Sequence, residues 1–163
     1  MPDRPVALSG PGVTVDPAGV QDRIGTAIGD HEQVFERFFL ARLIGLEFAY
    51  LPEDAPDDAK EACRVRFPVQ PFLFNPQGSL HGGILTTAMD ISMGHLAKKV
   101  VGEGATATIE LKVQFMRPIS SGWATCEGRF LRRGRAIAFL ESRLWDDDER
   151  PVAHATATWK MPG

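Results

Sequence analysis

A chain of 163 residues, 44% apolar and 24% charged, is long enough to bury one full hydrophobic core and too apolar to be disordered or fibrous. Its formal net charge of −3 gives no general attraction to nucleic acid or to an anionic membrane, although a local basic patch can still hold a small anion. Two cysteines, Cys63 and Cys126, are fewer than a secreted framework needs and point to a reducing cytoplasm, and no apolar run reaches the roughly 20 residues of a membrane span.

Residues 1–29 are rich in proline and glycine and lack the basic start and apolar stretch of a secretory signal. They read as an irregular N-terminal arm, and residues 30–163 as a single domain. Asp30 stands three residues before Gln33, a capping-box spacing, and Val34, Phe35, Phe38, Phe39 and Leu43 recur at helical intervals. The expectation is a helix over Glu32–Leu43, its aromatic residues most simply core, with pocket lining as the alternative. A strand follows over Ile44–Leu51, then the acidic, proline-broken turn of residues 52–61, then a strand over Ala62–Val69. Residues 70–83, QPFLFNPQGSLHGG, form an extended turn before an apolar helix over Gly82–Val100.

The rest is β-rich. Ala105–Met116 alternates strictly, with Ala105, Ala107, Ile109, Leu111, Val113 and Phe115 on one face. Trp123–Leu131 and Ala136–Trp145 form a hairpin around Arg132-Arg133-Gly134-Arg135, and a second hairpin turns through residues 146–151 into Val152–Lys160. This order predicts an α+β fold, an antiparallel sheet wrapped around or packed on one central helix.

That helix is apolar in nearly every direction, so it is expected to be largely buried, yet Asp90 lies in its middle. No Lys or Arg stands within four residues to pair with it. A buried carboxylate without a partner is costly. Either a threonine or nearby backbone satisfies it, or it is a base or nucleophile tuned by a half-buried cleft. Gly83 and Asp90 share a helix face with Thr86, Thr87 and Gly94, a stripe of small residues with room for a ligand.

The helix start carries complementary chemistry. Its first turn exposes backbone N–H groups at the positive end of the helix dipole, and Gly82-Gly83 leaves them sterically open. Such donors suit a carbonyl oxygen that gains charge as its carbon is attacked, and Asn75 can add an amide donor. Seven residues of helix hold Gly83 and Asp90 about 10 Å apart. One helix cannot easily supply base and oxyanion donor to one carbonyl, but two antiparallel copies can. The expectation is a homodimer with two composite sites.

The segment N-P-Q-G-S-L-H-G-G-I-L-T-T-A-M-D, residues 75–90, resembles the hotdog-fold thioesterases of the phenylacetate-pathway (PaaI-like) and 4-hydroxybenzoyl-CoA thioesterase class. The likeness extends through I-E-L-K-V-Q-F-M-R-P and the R-R-G-R hairpin, over roughly residues 60–160. It implies a curved antiparallel sheet around a long helix, subunits paired into a dimer and sometimes a dimer of dimers, and hydrolysis of an acyl-CoA. No separate cofactor is implied, since coenzyme A comes with the substrate. By resemblance Gly82 N–H and Asn75 polarise the thioester carbonyl, and Asp90 of the other subunit activates water or attacks directly. His81 supports the turn or the thioester region, and Thr108 falls where relatives place a Ser or Thr that helps hold that water. The strict alternation of its strand puts Thr108 on the polar side with Glu110 and Lys112, and does not by itself place it in the site.

Arg129, Arg132, Arg133 and Arg135 cluster around Gly134, and Arg117 precedes Pro118. They are either a solvated hairpin or a site for the phosphates of coenzyme A, which Arg forks fit. His31, His95 and His154 have no metal spacing, and Ser79 lacks the elbow of a serine hydrolase. The competing readings are an acyl-CoA hydratase or dehydratase, and a non-catalytic acyl-CoA-binding dimer.

Overall fold

The computed structural model describes residues 15–162, so the reading of residues 1–14 lies outside it. The first element is a helix, α1 (Pro17–Asp30), which corrects the irregular arm expected across residues 1–29. The Asp16 side chain caps it by accepting from Ala18 N–H at 3.1 Å, and Pro17 takes a first-turn position where its missing N–H costs nothing. Gly19, Gly25 and Gly29 lower the local helix propensity and hide this start signal. Tertiary contacts compensate. Ala27 is buried, and Arg23 donates to the carbonyls of Leu43 and Ile44 at 2.8 and 3.3 Å.

The helix expected over Glu32–Leu43 is also corrected. Residues 31–38 form turns, and α2 spans only Phe39–Ile44. It stops at Gly45, whose φ of 81° is open to glycine at little cost. Asp30 does not cap this helix. Its carboxylate gathers Arg37 and Arg42 and holds the turn in shape.

Six antiparallel strands follow: β1 (Glu47–Leu51), β2 (Ala62–Pro68), β3 (Ala107–Phe115), β4 (Trp123–Arg133), β5 (Ile137–Trp145) and β6 (Pro151–Lys160). Their order in the sheet is β1-β2-β4-β5-β6-β3, which leaves β3 on an open edge. The long helix α3 (Gly82–Val101) lies on the inner face. Leu85, Met89, Met93, Leu96 and Val100 of α3 meet Phe67, Leu140 and Leu144 of the sheet in one core. Full burial of each such side chain stabilises by about 1.5–3 kcal/mol. The approach is close at Gly128 of β4, where a Cβ would stand 2.6 Å from the Ser92 carbonyl carbon. There Ser92 and Ser142 exchange a buried hydrogen bond of 2.9 Å. The curved sheet around α3 is the hotdog fold. Both cysteines are free and buried, and desolvation pushes the Cys126 thiol up to about 12, so neither is a poised nucleophile. No helix among the described residues is long and apolar enough to cross a membrane.

Candidate functional site

The start of α3 is held by two side chains. Asn75 Oδ1 accepts from Gln77 N–H at 2.8 Å, and its amide donates to Ser79 Oγ at 3.2 Å. This closes the turn that delivers the chain to α3. His81 is the N-cap, its Nδ1 accepting from Gly83 N–H at 2.9 Å. In the neutral ring the proton then sits on Nε2. His81 is a capping residue here. Gly83 N–H is thereby used, whereas Gly82 N–H has no hydrogen-bond partner among the described residues. A Cβ on Gly82 would stand 3.2 Å from the Phe115 ring, a tight contact that a larger residue would keep only by moving that ring. Asn75, Gly82, Leu85, Phe115 and Arg117 line a cavity of about 390 Å³.

Asp90 lines a different cavity, of about 470 Å³, with Phe35, Phe38, His95, Thr108 and Trp159. No residue is common to the two linings. Thr108 Oγ1 donates to Asp90 Oδ1 at 2.9 Å. Thr86 and Thr87 bond back to the carbonyls of Gly82 and Gly83, each at 2.9 Å, so neither serves Asp90. Burial pushes the Asp90 carboxyl above its ordinary value, and the bond from Thr108 pulls it partly back. A half-buried carboxyl with one donor and no paired cation suits a base.

The contact with Thr108 corrects the strict alternation expected in its strand. Pairing with β6 runs Thr108↔Trp159 and then Glu110↔Thr158, with a register shift that leaves Ile109 as an extra residue. One bulged residue inverts the side-chain parity. Leu111 and Val113 stay on the helix side opposite Ala157 and Ala155. Beyond the bulge Thr108 joins that side, opposite buried Trp159. Ile109 is left 57% exposed.

Residues 31–38 bring the second surprise. Freed from a helix, Phe35 and Phe38 turn toward α3 and surround His95 at ring-centroid distances of 4.9 and 6.1 Å, while Phe48 stacks on it at 4.7 Å. Desolvation lowers His95 to about 4, so the ring is neutral near pH 7. Gly94, expected to leave space along the helix, is instead covered by Trp159, whose ring would lie 2.5 Å from a Cβ there.

The arginines divide. Arg117 borders the Gly82 cavity and donates to the Pro151 carbonyl at 2.7 Å. Arg132, Arg133 and Arg135 are exposed around the β4–β5 turn, where Gly134 is needed because a Cβ would stand 2.3 Å from the Ile137 oxygen. Arg133 donates to the Val100 carbonyl at 3.5 Å, which places this cluster at the far end of α3 from Gly82.

A family model for the thioesterase superfamily matches residues 77–153. SSO2140 of Saccharolobus solfataricus, a protein bearing the name of an esterase, is 35% identical over 128 residues, covering 78% of this chain and 82% of that one. The medium/long-chain acyl-CoA thioesterase YigI of Escherichia coli is 28% identical over 121 residues, covering 63% and 76%. The BH2602 protein from Bacillus halodurans, crystallised with CoA, is similar in structure at a TM-score of 0.72 over 90% of this chain and 92% of that one, and at 22% identity this likeness bears on the fold alone. Matched in its motif segment, along most of its length and in its fold, the chain belongs to the thioesterase superfamily.

Proposed function

We propose that the chain hydrolyses acyl-CoA thioesters at a site shared by two subunits. The observation that carries this reading is the segregation of the two halves. Asp90, oriented by Thr108, stands in one cavity, and Gly82 and Asn75 border another. The open edge of β3, with Ile109, Phe115 and Met116 exposed at 57%, 53% and 50%, supports pairing there, because an unpaired apolar edge invites a partner strand. In an antiparallel pair the Asp90 cavity of one subunit meets the Gly82 cavity of the other. The name of YigI supports the substrate class.

The chemistry follows from the donors present. The thioester oxygen accepts from Gly82 N–H and the Asn75 amide. Thr108 occupies Asp90 Oδ1 and leaves Oδ2 to take a proton from water. The water oxygen bonds to the carbonyl carbon, the C–S bond breaks, and the proton on Asp90 passes to the departing thiolate. The products are a free acid and coenzyme A. Arg117, beside the Gly82 cavity, is the first candidate for a coenzyme A phosphate. Arg132, Arg133 and Arg135 take part only across the pair, since within one subunit they stand at the other end of α3.

The test is free-thiol release over a panel of short, medium, long and aryl acyl-CoAs, run beside Asp90→Asn. We expect thiol from the wild type and at least about a 10²-fold fall in kcat for the variant, the scale of lost acid–base help. Binding without thiol release across the panel would assign a carrier instead. Water addition to an enoyl-CoA without thiol release would assign a hydratase.

A further inference from the structure

The Asn75 carboxamide serves a thioester in only one of its two orientations. A half-turn about χ2 exchanges its donor and acceptor ends. With the NH2 group toward the Gly82 cavity it stabilises a developing oxyanion, and with the carbonyl there it repels one. Three hydrogen bonds set the orientation. Oδ1 accepts from Gln77 N–H at 2.8 Å and, at the longer distance of 3.5 Å, from Ser79 N–H. Nδ2 donates to Ser79 Oγ at 3.2 Å. The bonds to Oδ1 choose the face, and only the third acts on the nitrogen itself.

An amide nitrogen carries two protons. Ser79 Oγ takes one, and the other has no acceptor among the described residues. Asn75, Ser79 and Gly82 line the same cavity. The turn itself does not depend on the serine hydroxyl. Asn75 N–H donates to the Ser79 carbonyl at 2.8 Å, and Gly78 N–H to the Asn75 carbonyl at 3.1 Å. Leu80 N–H and His81 N–H are anchored on the carbonyls of Ile119 and Leu73, each at 2.9 Å. Alanine at position 79 keeps all of these backbone bonds. Ser79 Oγ has no other hydrogen bond among the described residues, so the work of this side chain is on the amide.

Resting on the thioesterase reading, we propose that Ser79 is a positioning residue for the hydrolysis. Its hydroxyl ties back one proton of the Asn75 amide and so presents the other to the thioester oxygen. The effect is largest as that oxygen gains charge, because a donor already in place needs no reorganisation at that moment.

The test is a double-mutant cycle on thiol release from the best substrate of the acyl-CoA panel, with Asn75→Ala as the second variant. Ser79→Ala is expected to lower kcat about fivefold, the scale of one neutral hydrogen bond, and to leave KM within about twofold. Ser79→Thr keeps the hydroxyl and is expected to recover most of that loss. On the Asn75→Ala background, Ser79→Ala is expected to change kcat less than about twofold, because the amide it serves is gone. A merely structural serine gives the same fall on both backgrounds. That result overturns the proposal, as does an unchanged kcat in Ser79→Ala. If Ser79→Ala does not fold, Ser79→Cys, whose thiol is a weak acceptor, carries the same cycle. Thiol release from no acyl-CoA by the wild type sinks the thioesterase reading instead. The positioning is then decided by NMR relaxation of the Asn75 side-chain amide, whose order parameter is expected to drop by at least about 0.2 in Ser79→Ala, and an unchanged value overturns it.

Discussion

The two cavities beside α3 are made of opposite materials. The Gly82 side offers a backbone N–H and a side-chain amide, each held by a short local turn and neither able to ionise near neutral pH. The Asp90 side is built from side chains of four separate segments, is walled by aromatic rings, and holds a half-buried carboxyl. A fixed dipole needs no tuning, because the turn that positions it also satisfies its neighbours. A carboxylate must be partly desolvated to become a useful base, and desolvation is what makes it unwelcome in a fold. The donor half should therefore tolerate changes of pH, and the base half should carry the pH dependence and the strain.

Removing either half tests this division most severely. Asp90→Asn keeps the oxygen that accepts from Thr108 and removes the base, and kcat should fall at least about 10²-fold. Asn75→Asp keeps the acceptor that closes the turn and removes the amide donor. Its loss should also reach about 10²-fold, as for one oxyanion donor. The two inactive variants should then rescue each other. A mixed dimer holds one site with Asn75 from one chain and Asp90 from the other. After unfolding and refolding together, an equal mixture should regain about a quarter of wild-type thiol release. A site completed within one subunit would give no recovery.

The donor half was legible in the sequence because it is local. Residues 75–83 carry its turn and its glycines in one stretch; of the base half, the periodicity of α3 places Asp90 among apolar neighbours without structural help. Five of the six strands fell close to their expected bounds for the same reason, since alternation and turn residues are short-range signals. The rest of the base half was not legible. Thr108 reaches Asp90 only through a bulge at Ile109, and in the run Ala-Thr-Ala-Thr-Ile no residue marks an insertion. Phe35 and Phe38 repeat at helical spacing, yet the Asp30 carboxylate draws in Arg37 and Arg42 and holds a turn instead. His95 and Trp159 acquire meaning only once separate segments enclose them. The resemblance named Thr108 where strict alternation did not place it, and the bulge at Ile109 is what turns its side chain to Asp90.

Thr108→Val sharpens the contrast at smaller scale. It removes the donor that pulls the Asp90 carboxyl back toward its ordinary value. The acidic limb of the kcat/KM profile should move to higher pH, and activity at neutral pH should fall about fivefold, the order of one lost hydrogen bond to a charged group. Asn75→Ser, acting in the half that does not titrate, should lower activity without moving that limb. Parallel pH profiles for Thr108→Val and the wild type would detach Thr108 from the base.

The smallest effect is on stability, and its sign separates the halves most cleanly. Burial raises the Asp90 carboxyl above its ordinary value, so the unfolded chain releases this proton more readily than the folded one. At pH below the unfolded value both states are protonated and the site carries no penalty. As pH rises through the raised folded value, the folded state must hold a desolvated charge and loses stability relative to that limit. Asp90→Asn escapes this cost while still accepting from Thr108. It should therefore melt slightly higher than the wild type at pH 7. The advantage should vanish as pH falls below about 4. Asn75→Ala should melt lower at both pH values, because it opens a turn whose bonds do not titrate. An Asp90→Asn variant less stable than the wild type at neutral pH would mean that the ionised carboxylate is stabilised by its surroundings, and the base half would then be no more strained than the donor half.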